Sequence, residues 1–357
     1  MCAMMSKNAP LDQLAGPELT ALMQRDDITE IYVNSDGRLW YDSYMDGKVH
    51  TDIFLEPAKV LAVIRYVAGQ DKKIITKEIP SLSSEIKGYG YRFQGEIPPI
   101  VRNPEFNIRK KATRIFTLDD YVKDGMMSLA YKKVIEEAIL KRKNILIIGG
   151  TGTGKTTFLN AVLAAISQLT PRHRIISLED MPELQCASED YSPMFTMQDT
   201  ENAKIKYDMT QLLADCMRRS PDRIVVGEVR TGAAYTMLKA WNTGHPGGAC
   251  TVHANGAFEG LSRIESLSLE NTDAPRDITV LRMLIGQAID IAINISHVVK
   301  ADGKRTRQID DIIKINGYER KEDKYLLEKV DPNAYLQADE KTGSNTVQSF
   351  SGSGLGT

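Results

Sequence analysis

The clearest chemical signature in the chain is a glycine-rich stretch, residues 149–156, which fits the pattern G-x-x-x-x-G-K-[ST]. The apolar run 144–148 before it is typical of a buried strand, and residues 157–166 after it are typical of a helix. In that order, backbone N–H groups surround a polyphosphate, and the N-terminus of the helix adds positive charge. The predicted loop residues are Gly149, Gly150, Thr151, Gly152, Thr153, Gly154, Lys155, Thr156 and Thr157. We expect Lys155 to reach the β- and γ-phosphates of a nucleoside triphosphate and Thr156 to bind Mg²⁺.

An acidic group follows the apolar run that ends at Leu178: Glu179 and Asp180 come first, and Glu183 follows a proline turn. A carboxylate that leaves the end of a strand can orient or deprotonate an attacking water, or hold Mg²⁺ through water. An ordinary acidic loop is the alternative. The phosphate loop earlier in the chain favours the functional interpretation, because reactive clefts concentrate such titratable groups.

A third group surrounds Glu228, which follows a short apolar strand, residues 224–226, and a glycine. This is the position of a Walker B acid, with glutamate in place of the usual aspartate. A carboxylate there neutralises Mg²⁺ and polarises water. Arg218 and Arg230 flank it. Each arginine could contact phosphate or simply pair with an acid, and the sequence leaves both interpretations open.

A fourth group contains two histidines, His245 and His253, which bracket a glycine turn and a short strand at residues 249–252. His253 could hydrogen-bond a γ-phosphate and report its loss. A lone histidine on a strand is more often a packed or surface residue than a catalytic one. Periodicity alone therefore makes this a weak signal.

The four groups lie in a region where predicted strands and helices alternate, which implies a mostly parallel sheet with helices on its faces. The predicted strands are 144–148, 174–178, 223–226, 249–252 and 289–295. Ligands in such sheets bind at the carboxyl ends of the strands. The polar residues that follow these strands are therefore the candidates for a site. A terminal hairpin of residues 310–316 and 324–329 is predicted to turn around Gly317.

The chain before the phosphate loop predicts a smaller α+β domain, residues 11–108. Its predicted strands are 28–33, 38–41, 89–94 and 97–101, and a helix is predicted after Pro57. Residues 1–10 are expected to be loose and 109–120 to link the domains. The domain that carries the four groups is predicted at 121–336. The polar tail, 337–357, is expected to be disordered.

Length and composition limit the classes of protein. A chain of 357 residues exceeds one ordinary core, so two domains are expected. With 42% hydrophobic and 26% charged residues it reads as a soluble globular protein. The net charge of −2 gives no general attraction to nucleic acid, so direct binding to nucleic acid is expected to be weak or absent. Four scattered cysteines predict reduced thiols rather than a zinc site.

No apolar run approaches the ~20 residues of a membrane span, and the N-terminus lacks the apolar core of a secretory signal. Any membrane contact is therefore expected to be peripheral or through a partner.

Taken in order, the four groups resemble the Walker A motif, Asp box, Walker B motif and His box of the secretion ATPases of type II and type IV secretion. The resemblance covers roughly residues 25–320. It is closest to the TrbB-type conjugative transfer ATPases, as residues 95–99 (Gly-Glu-Ile-Pro-Pro) and 107–110 (Asn-Ile-Arg-Lys) indicate. It implies a RecA-like P-loop ATPase domain preceded by the α+β domain, with ATP and Mg²⁺ as ligands.

The resemblance also implies roles for single residues. Lys155 and Thr156 bind phosphate and Mg²⁺, and Glu228 is the Walker B acid and a second contact for the metal. Glu179 is the catalytic carboxylate, supported by Glu183. His253 senses the γ-phosphate, and His245 shapes the same box.

Arginines of the N-terminal domain fold over the nucleotide in this family. Arg92 and Arg109 match those places, and Arg102 is a weaker candidate. An arginine that arrives only when the domains close would place charge on the transferring phosphoryl group and tie hydrolysis to domain motion. A solvated basic face is the alternative interpretation of these arginines.

For the whole protein the resemblance implies a homohexameric motor. Binding of ATP would close the domains about a hinge at residues 110–118 and release would open them, which would drive pilus assembly or substrate translocation. The implied partners are inner-membrane components of the secretion machinery, and the implied location is cytoplasmic, peripheral to the inner membrane.

Three alternatives remain at this point. The first is a pilus-retraction or type II secretion motor, although the four-cysteine zinc module usual in type II assembly ATPases is missing. The second is a DNA translocase or helicase of the same broad fold, which the net charge of −2 disfavours. The third is a nucleotide-gated scaffold with little turnover, which the presence of both Glu179 and Glu228 disfavours.

Overall fold

A computed structural model of the chain describes residues 9–43, 47–110, 115–197, 207–299 and 305–335. The chain divides into two units, Met1–Arg114 and Ile115–Thr357, so the division falls inside the predicted linker. The predicted tail and most of the predicted loose N-terminus lie outside the described residues. So do residues 111–114 of the predicted hinge.

The N-terminal unit is an antiparallel six-stranded sheet with three helices. The helices are α1 (Ala9–Ala15), α2 (Pro17–Gln24) and α3 (Pro57–Gln70). The strands are β1 (Ile28–Val33), β2 (Arg38–Ser43), β3 (Gly47–Phe54), β4 (Ser81–Ile86), β5 (Tyr91–Glu96) and β6 (Glu105–Arg109). Their order across the sheet is β3-β2-β1-β6-β5-β4, and every neighbouring pair is antiparallel.

The core of this unit forms where α3 lies on the sheet. Val60, Ile64 and Val67 recur at helical spacing on α3 and are fully buried together with Phe93 and Phe106. The alternation of apolar and polar residues along β5 and β6 puts their other side chains on the opposite face of the sheet.

One strand predicted in this unit, residues 97–101, is wrong. That segment forms turns after β5 and contains a cis peptide bond between Pro98 and Pro99. Neither proline can donate a hydrogen bond to a ladder, so the segment cannot continue a strand. The strand that follows β5 in the sheet is β6, which the sequence did not predict.

The second unit is an eight-stranded sheet with helices on both faces. The helices are α4 (Leu118–Lys123), α5 (Leu129–Leu140), α6 (Lys155–Leu169), α7 (Met209–Cys216), α8 (Ala233–Asn242), α9 (Ala257–Leu269) and α10 (Ile278–Ala288). The strands are β7 (Ile145–Gly149), β8 (Ile175–Glu179), β9 (Tyr191–Phe195), β10 (Arg223–Val226), β11 (Ala249–His253), β12 (Ile291–Val299), β13 (Arg305–Glu319) and β14 (Lys324–Lys329). The order is β14-β13-β12-β7-β11-β10-β8-β9.

Six neighbouring strands of this sheet, β12 through β9 in the spatial order, run parallel, and β13 and β14 add an antiparallel edge. The predicted α/β fold with a mostly parallel sheet is therefore confirmed. All five predicted strands are present. The strand that the sequence did not predict, β9, contains Pro193, and it lies at the edge of the sheet, where a proline in a strand is tolerated.

The central strands are buried on both sides, which explains their continuous apolar sequences. All five residues of β7 are buried. Ile147 belongs to a core that includes Phe158 and Val162 of α6, whereas Ile148 belongs to a core on the other face with Leu238. The packing fixes the strand that ends in the phosphate loop from both faces.

The terminal hairpin forms, but its turn is not at the predicted glycine. β13 runs through Gly317, which has φ +114° and lies at a shift of register between Ile315 and Tyr318. A glycine inside a strand commonly marks such a bulge. The turn itself follows Glu319 and ends before Lys324. Among the described residues, no helix is both long enough and apolar enough to cross a membrane.

Candidate active site

The glycine-rich loop joins β7 to α6 as predicted from the sequence. Gly154 precedes the helix with φ +91°, in the left-handed region that glycine adopts at little cost. The backbone of Gly149 lies close to that of β12, because a Cβ on Gly149 would lie 2.5 Å from the carbonyl oxygen of Ile295. Thr153 closes the loop on itself through a hydrogen bond from its hydroxyl to the carbonyl of Gly150, 3.0 Å.

Lys155 lies under this loop and is only 6% exposed. Its Nζ donates to the carbonyl oxygens of Gly149, at 2.9 Å, and of Gly150, at 2.8 Å. The same Nζ lies 3.1 Å from Nδ1 of His253. An ammonium group can only donate, so the contact assigns Nδ1 of His253 as the acceptor.

His253 connects this lysine to Glu228. Its Nε2 is 2.8 Å from Oε1 of Glu228, an ion-pair distance, although that oxygen accepts no hydrogen bond from the described residues. The contact with Lys155 makes Nδ1 the acceptor, and Nε2 is the ring nitrogen that faces Glu228. This gives one continuous bridge, Lys155–His253–Glu228, across the end of the sheet.

The strand order produces this bridge. β11 lies between β7 and β10, so its last residue, His253, falls between the phosphate loop and the acid that follows β10. His253 is also the register partner of Gly149. Lys155, Glu228 and His253 therefore lie together at the carboxyl edge of the sheet.

The polar chain continues beyond Glu228. Nη2 of Arg230 donates to Oε2 of Glu228 at 2.5 Å, and Nη1 lies 3.9 Å from Oδ2 of Asp180. The hydrogen bond from Arg230 to Glu228 raises the pKa of the arginine. Arg230 therefore pairs with acids here, which is one of the two interpretations that the sequence left open.

Glu179 ends β8 and is 3% exposed. Its Oε1 accepts hydrogen bonds from the backbone N–H groups of Glu183, at 2.8 Å, and Leu184, at 2.7 Å. A Cβ on Gly227 would lie 3.2 Å from Cγ of Glu179, so this acid stands directly beside the end of β10. The backbone of the acidic loop thus orients the carboxylate of Glu179 next to the Lys155–His253–Glu228 bridge.

Glu183 takes part in this arrangement through its backbone. Besides its N–H bond to Glu179, its carbonyl accepts from Nδ2 of Asn160 at 3.2 Å. Oδ1 of Asn160, on α6, accepts from the N–H of Gln185 at 2.9 Å. The helix that begins at the phosphate loop therefore holds the acidic loop in place.

The structure separates two predicted residues from this site. His245 precedes β11, and its Nδ1 lies 3.2 Å from the carbonyl oxygen of Pro221, which precedes β10. Arg218 lies in a 3₁₀ turn, Met217–Arg219, also before β10, with an 83% exposed side chain. Both therefore lie at the amino-terminal edge of these strands, opposite the edge that carries His253.

The three predicted arginines of the N-terminal unit lie on or between two neighbouring strands of its sheet. Arg92 on β5 and Arg109 on β6 are direct register partners on neighbouring strands. Nη1 of Arg109 lies 3.9 Å from Oε1 of Glu30 on β1. Arg102 is exposed and lies in the connection between β5 and β6.

Sequence reasoning missed Arg307, which lies against the phosphate loop: a Cβ on Gly154 would be 2.9 Å from its Nε. The predicted hairpin began at residue 310, so Arg307 fell outside it. The contact depends on how far β13 extends. Arg307 could therefore have been found only by predicting a strand that begins before residue 310.

The family model described as "Type II/IV secretion system protein" matches residues 8–319 of the chain. The conjugal transfer protein TrbB of Rhizobium radiobacter is 41% identical over 86% of this chain and 90% of its own length. The type IV secretion system protein VirB11 of Bartonella henselae is 29% identical over 78% of this chain and 87% of its own length. These matches confirm the resemblance predicted from the four motifs.

Solved structures show the same fold at low identity. The ATPase DotB of Legionella pneumophila is 18% identical and matches with a TM-score of 0.61, over 96% of this chain and 89% of that one. The pilus retraction motor PilT with bound ADP, also 18% identical, matches with a TM-score of 0.57 over 95% and 89%.

Proposed function

The chain belongs to the type II/IV secretion system protein family, and on that premise we propose that it hydrolyses ATP to power a conjugative transfer or type IV secretion apparatus. The Lys155–His253–Glu228 bridge carries the proposal. It joins the lysine of a phosphate loop to the acid after β10, so the groups needed to bind a triphosphate and to act on it share one edge of the sheet.

The first step is binding of the polyphosphate. Lys155 exchanges its bonds with the loop carbonyls for the β- and γ-phosphate oxygens, which are stronger acceptors because they are charged. The N–H groups at the start of α6 face the same anion. The proposed loop contacts therefore include both backbone and side-chain donors.

The second step is recognition of the γ-phosphate by His253. When Lys155 turns to phosphate, His253 loses its donor at Nδ1, while its Nε2 still faces Glu228. The ring then has to rearrange, and a proton on either nitrogen can be presented to a phosphate oxygen. His253 thereby responds to the presence of the γ-phosphate and passes the change to Glu228.

The residues for Mg²⁺ are Thr156, in the first turn of α6, and Glu228. A hydroxyl and a carboxylate are the hard oxygen ligands that this ion prefers, so the donor set fits it. Bound there, the ion neutralises charge on the phosphate oxygens.

Glu179 is the proposed catalytic carboxylate. Its Oε1 is held by two backbone N–H groups, which fixes the direction of the whole carboxylate. It orients the attacking water and accepts its proton as the bond to the γ-phosphorus forms and the bond to the β-phosphate oxygen breaks. Glu183 supports it through the backbone. We assign no role at the nucleotide to His245 or Arg218, because they lie at the other edge of the sheet.

We further propose that Arg92 and Arg109 supply positive charge to the phosphates when the two units close, with Arg102 as a weaker third contact. Two like charges directly opposite on neighbouring antiparallel strands oppose each other. Glu85 on β4 and Glu30 on β1 are their other register partners and offset this repulsion, so the support for the proposal is that both arginines lie on one face of the sheet. The segment 110–118 would act as the hinge, and the boundaries 11–108 and 121–336 would define the moving bodies.

For the assembly we propose a homohexameric ring at the cytoplasmic face of the inner membrane. There it would work with inner-membrane components of the transfer machinery, and direct contact with nucleic acid would be weak or absent. The relatives named TrbB and VirB11 support this placement. The second candidate function is pilus retraction, which the fold match to PilT supports only at the level of the fold.

The experiment that tests the proposal is steady-state ATP hydrolysis with Mg²⁺, for the wild type and variants of the bridge. A nucleotide-gated scaffold would bind ATP with little turnover, whereas a motor turns it over and loses that activity when the bridge is broken.

A further inference from the structure

The hairpin of β12 and β13 extends beyond the carboxyl edge of the sheet. β12 pairs with β7 from Ile291 to Asn294, up to the strand that ends in the phosphate loop. From Ile295 onward its register partners belong to β13, including the pair His297 and Arg307. The carbonyl oxygen of Ile295 lies 2.5 Å from the position of a Cβ on Gly149. The extended part of the hairpin therefore runs alongside the phosphate loop.

Arg307 places its side chain on this loop. A Cβ on Gly154 would lie 2.9 Å from Cδ, 2.9 Å from Nε and 3.0 Å from Cζ of Arg307. Only a residue without a side chain at Gly154 leaves room for this contact. The guanidinium thus lies directly against the backbone that begins α6.

This position is electrostatically unfavourable for a cation on its own. The N-terminus of a helix carries partial positive charge, and Lys155 adds a full charge close by. Arg307 is partly buried, and within the described ranges its guanidinium has no hydrogen-bond or ion-pair partner. Three positive groups that converge in this way become favourable when an anion lies among them.

The direction of approach distinguishes Arg307 from His253. β7 has two neighbours in the sheet, β11 on one side and β12 on the other. His253 reaches the loop from the end of β11, whereas Arg307 reaches it from the side of β12. Since His253 and Glu228 define the side of the reacting γ-phosphate in the proposed function, Arg307 faces the part of the nucleotide away from it.

We propose that Arg307 is a nucleotide-binding residue that contacts the α- or β-phosphate of the bound nucleotide from the side of the β12–β13 hairpin. The ligand class is a nucleoside diphosphate moiety, which ATP and ADP share. The inference rests on the proposed function and adds a residue of the C-terminal unit to that site.

The test is a binding titration of the full chain with ADP and with a non-hydrolysable ATP analogue. Arg307→Ala should raise the Kd for both by about tenfold to a hundredfold, as expected for the loss of charge-assisted hydrogen bonds. Arg307→Lys should lie between wild type and Arg307→Ala, because it keeps the charge without the planar fork. The control is Arg320→Ala, in the exposed turn at the other end of β13, which should bind as wild type does.

His253→Ala provides the contrast, since it should weaken the ATP analogue while leaving ADP nearly unchanged. Three results would overturn the inference: Arg307→Ala binds ADP as tightly as wild type, it weakens the ATP analogue alone, or it binds both nucleotides more tightly because Arg307 blocks the loop. If circular dichroism shows that Arg307→Ala does not fold, the comparison of Arg307→Lys with wild type decides in the same way. Wild type that binds neither nucleotide would overturn the proposed function as well.

Discussion

At the scale of single residues, the site depends on which atoms can donate and which can accept. Lys155 can only donate, Nδ1 of His253 accepts from it, and Nε2 of the same ring lies 2.8 Å from Oε1 of Glu228. A phosphate competes with this arrangement for Lys155. The bridge can therefore report whether a phosphate is bound.

His253→Gln should separate the effect of this bridge on nucleotide affinity from its effect on turnover. Glutamine can donate to Glu228 and accept from Lys155, but its amide cannot exchange a proton between two ring positions. We expect nucleotide affinity within about threefold of wild type and turnover lower by about 10²- to 10³-fold, the range typical of a lost electrostatic contact in the transition state. Steady-state ATPase rates with titrated affinities measure both, and undiminished turnover would remove His253 from the mechanism.

Glu179→Gln tests the role proposed for Glu179 as the catalytic carboxylate. The amide oxygen can still accept the N–H bonds of Glu183 and Leu184, so the loop should keep its shape and nucleotide binding should persist. Loss of a general base typically lowers turnover by about 10²- to 10⁴-fold. Glu189→Gln is the matched control, since Glu189 is exposed in the same connection between β8 and β9. Equal rates for the two variants would contradict the role of Glu179.

At the scale of elements, the strand order decides which of the predicted residues lie together. The phosphate loop, Glu179, Glu228 and His253 could be predicted because each follows a parallel strand, and all such positions share the carboxyl edge. His245 and Arg218 belong to the same motifs in sequence but precede their strands, so the fold places them at the opposite edge. Proximity along the chain does not distinguish these two edges.

Other features depended on contacts that local sequence does not encode. The glycine expected in the hairpin turn, Gly317, lies in a bulge of β13, because the two strands are longer than their apolar patterns suggest. The same extra length of β13 brings Arg307 to the phosphate loop. Proline explains the failure at residues 97–101 and also the edge position of β9.

A buried arginine at the amino-terminal edge of the sheet, Arg223, is predicted to stabilise the fold. Arg223 is 1% exposed and donates to the carbonyls of Gly247, at 2.8 Å, and Ile139, at 2.7 Å, and to Nδ1 of His173, at 3.0 Å. Arg223→Ala would leave those acceptors buried and should cost about 2–4 kcal/mol of unfolding free energy. Arg219→Ala, exposed in the preceding turn, is the control in denaturant titrations. A loss below about 1 kcal/mol would contradict this role.

The same contact predicts a dependence on pH. Burial, together with the charge of Arg223, lowers the pKa of His173 below its ordinary value, so the unfolded chain binds a proton at this residue more readily than the folded chain. Its contribution to stability is present above the ordinary pKa of about 6.5 and is lost as the pH falls below it. His173→Gln should flatten this part of the stability profile between pH 7 and pH 5. Identical slopes for the variant and wild type would contradict it.

At the scale of the whole molecule, the proposal requires that the N-terminal unit contribute to turnover. Arg109→Ala should lower the ATPase rate by about 10-fold or more while ATP binding weakens only modestly, because the arginine acts on the closed state. Arg65→Ala, exposed on α3 of the same unit, is the matched control. Undiminished turnover for both Arg92→Ala and Arg109→Ala would contradict closure of the units as the mechanism.

The central claim is that this chain is an ATPase whose site is organised around Lys155. The most direct test is steady-state ATP hydrolysis with Mg²⁺ by wild type, Lys155→Ala and the exposed control Lys239→Ala, over a range of protein concentrations and with lipid present. We predict turnover by wild type and Lys239→Ala, and a rate at least about 100-fold lower for Lys155→Ala. Equal rates for wild type and Lys155→Ala under every condition would contradict the account.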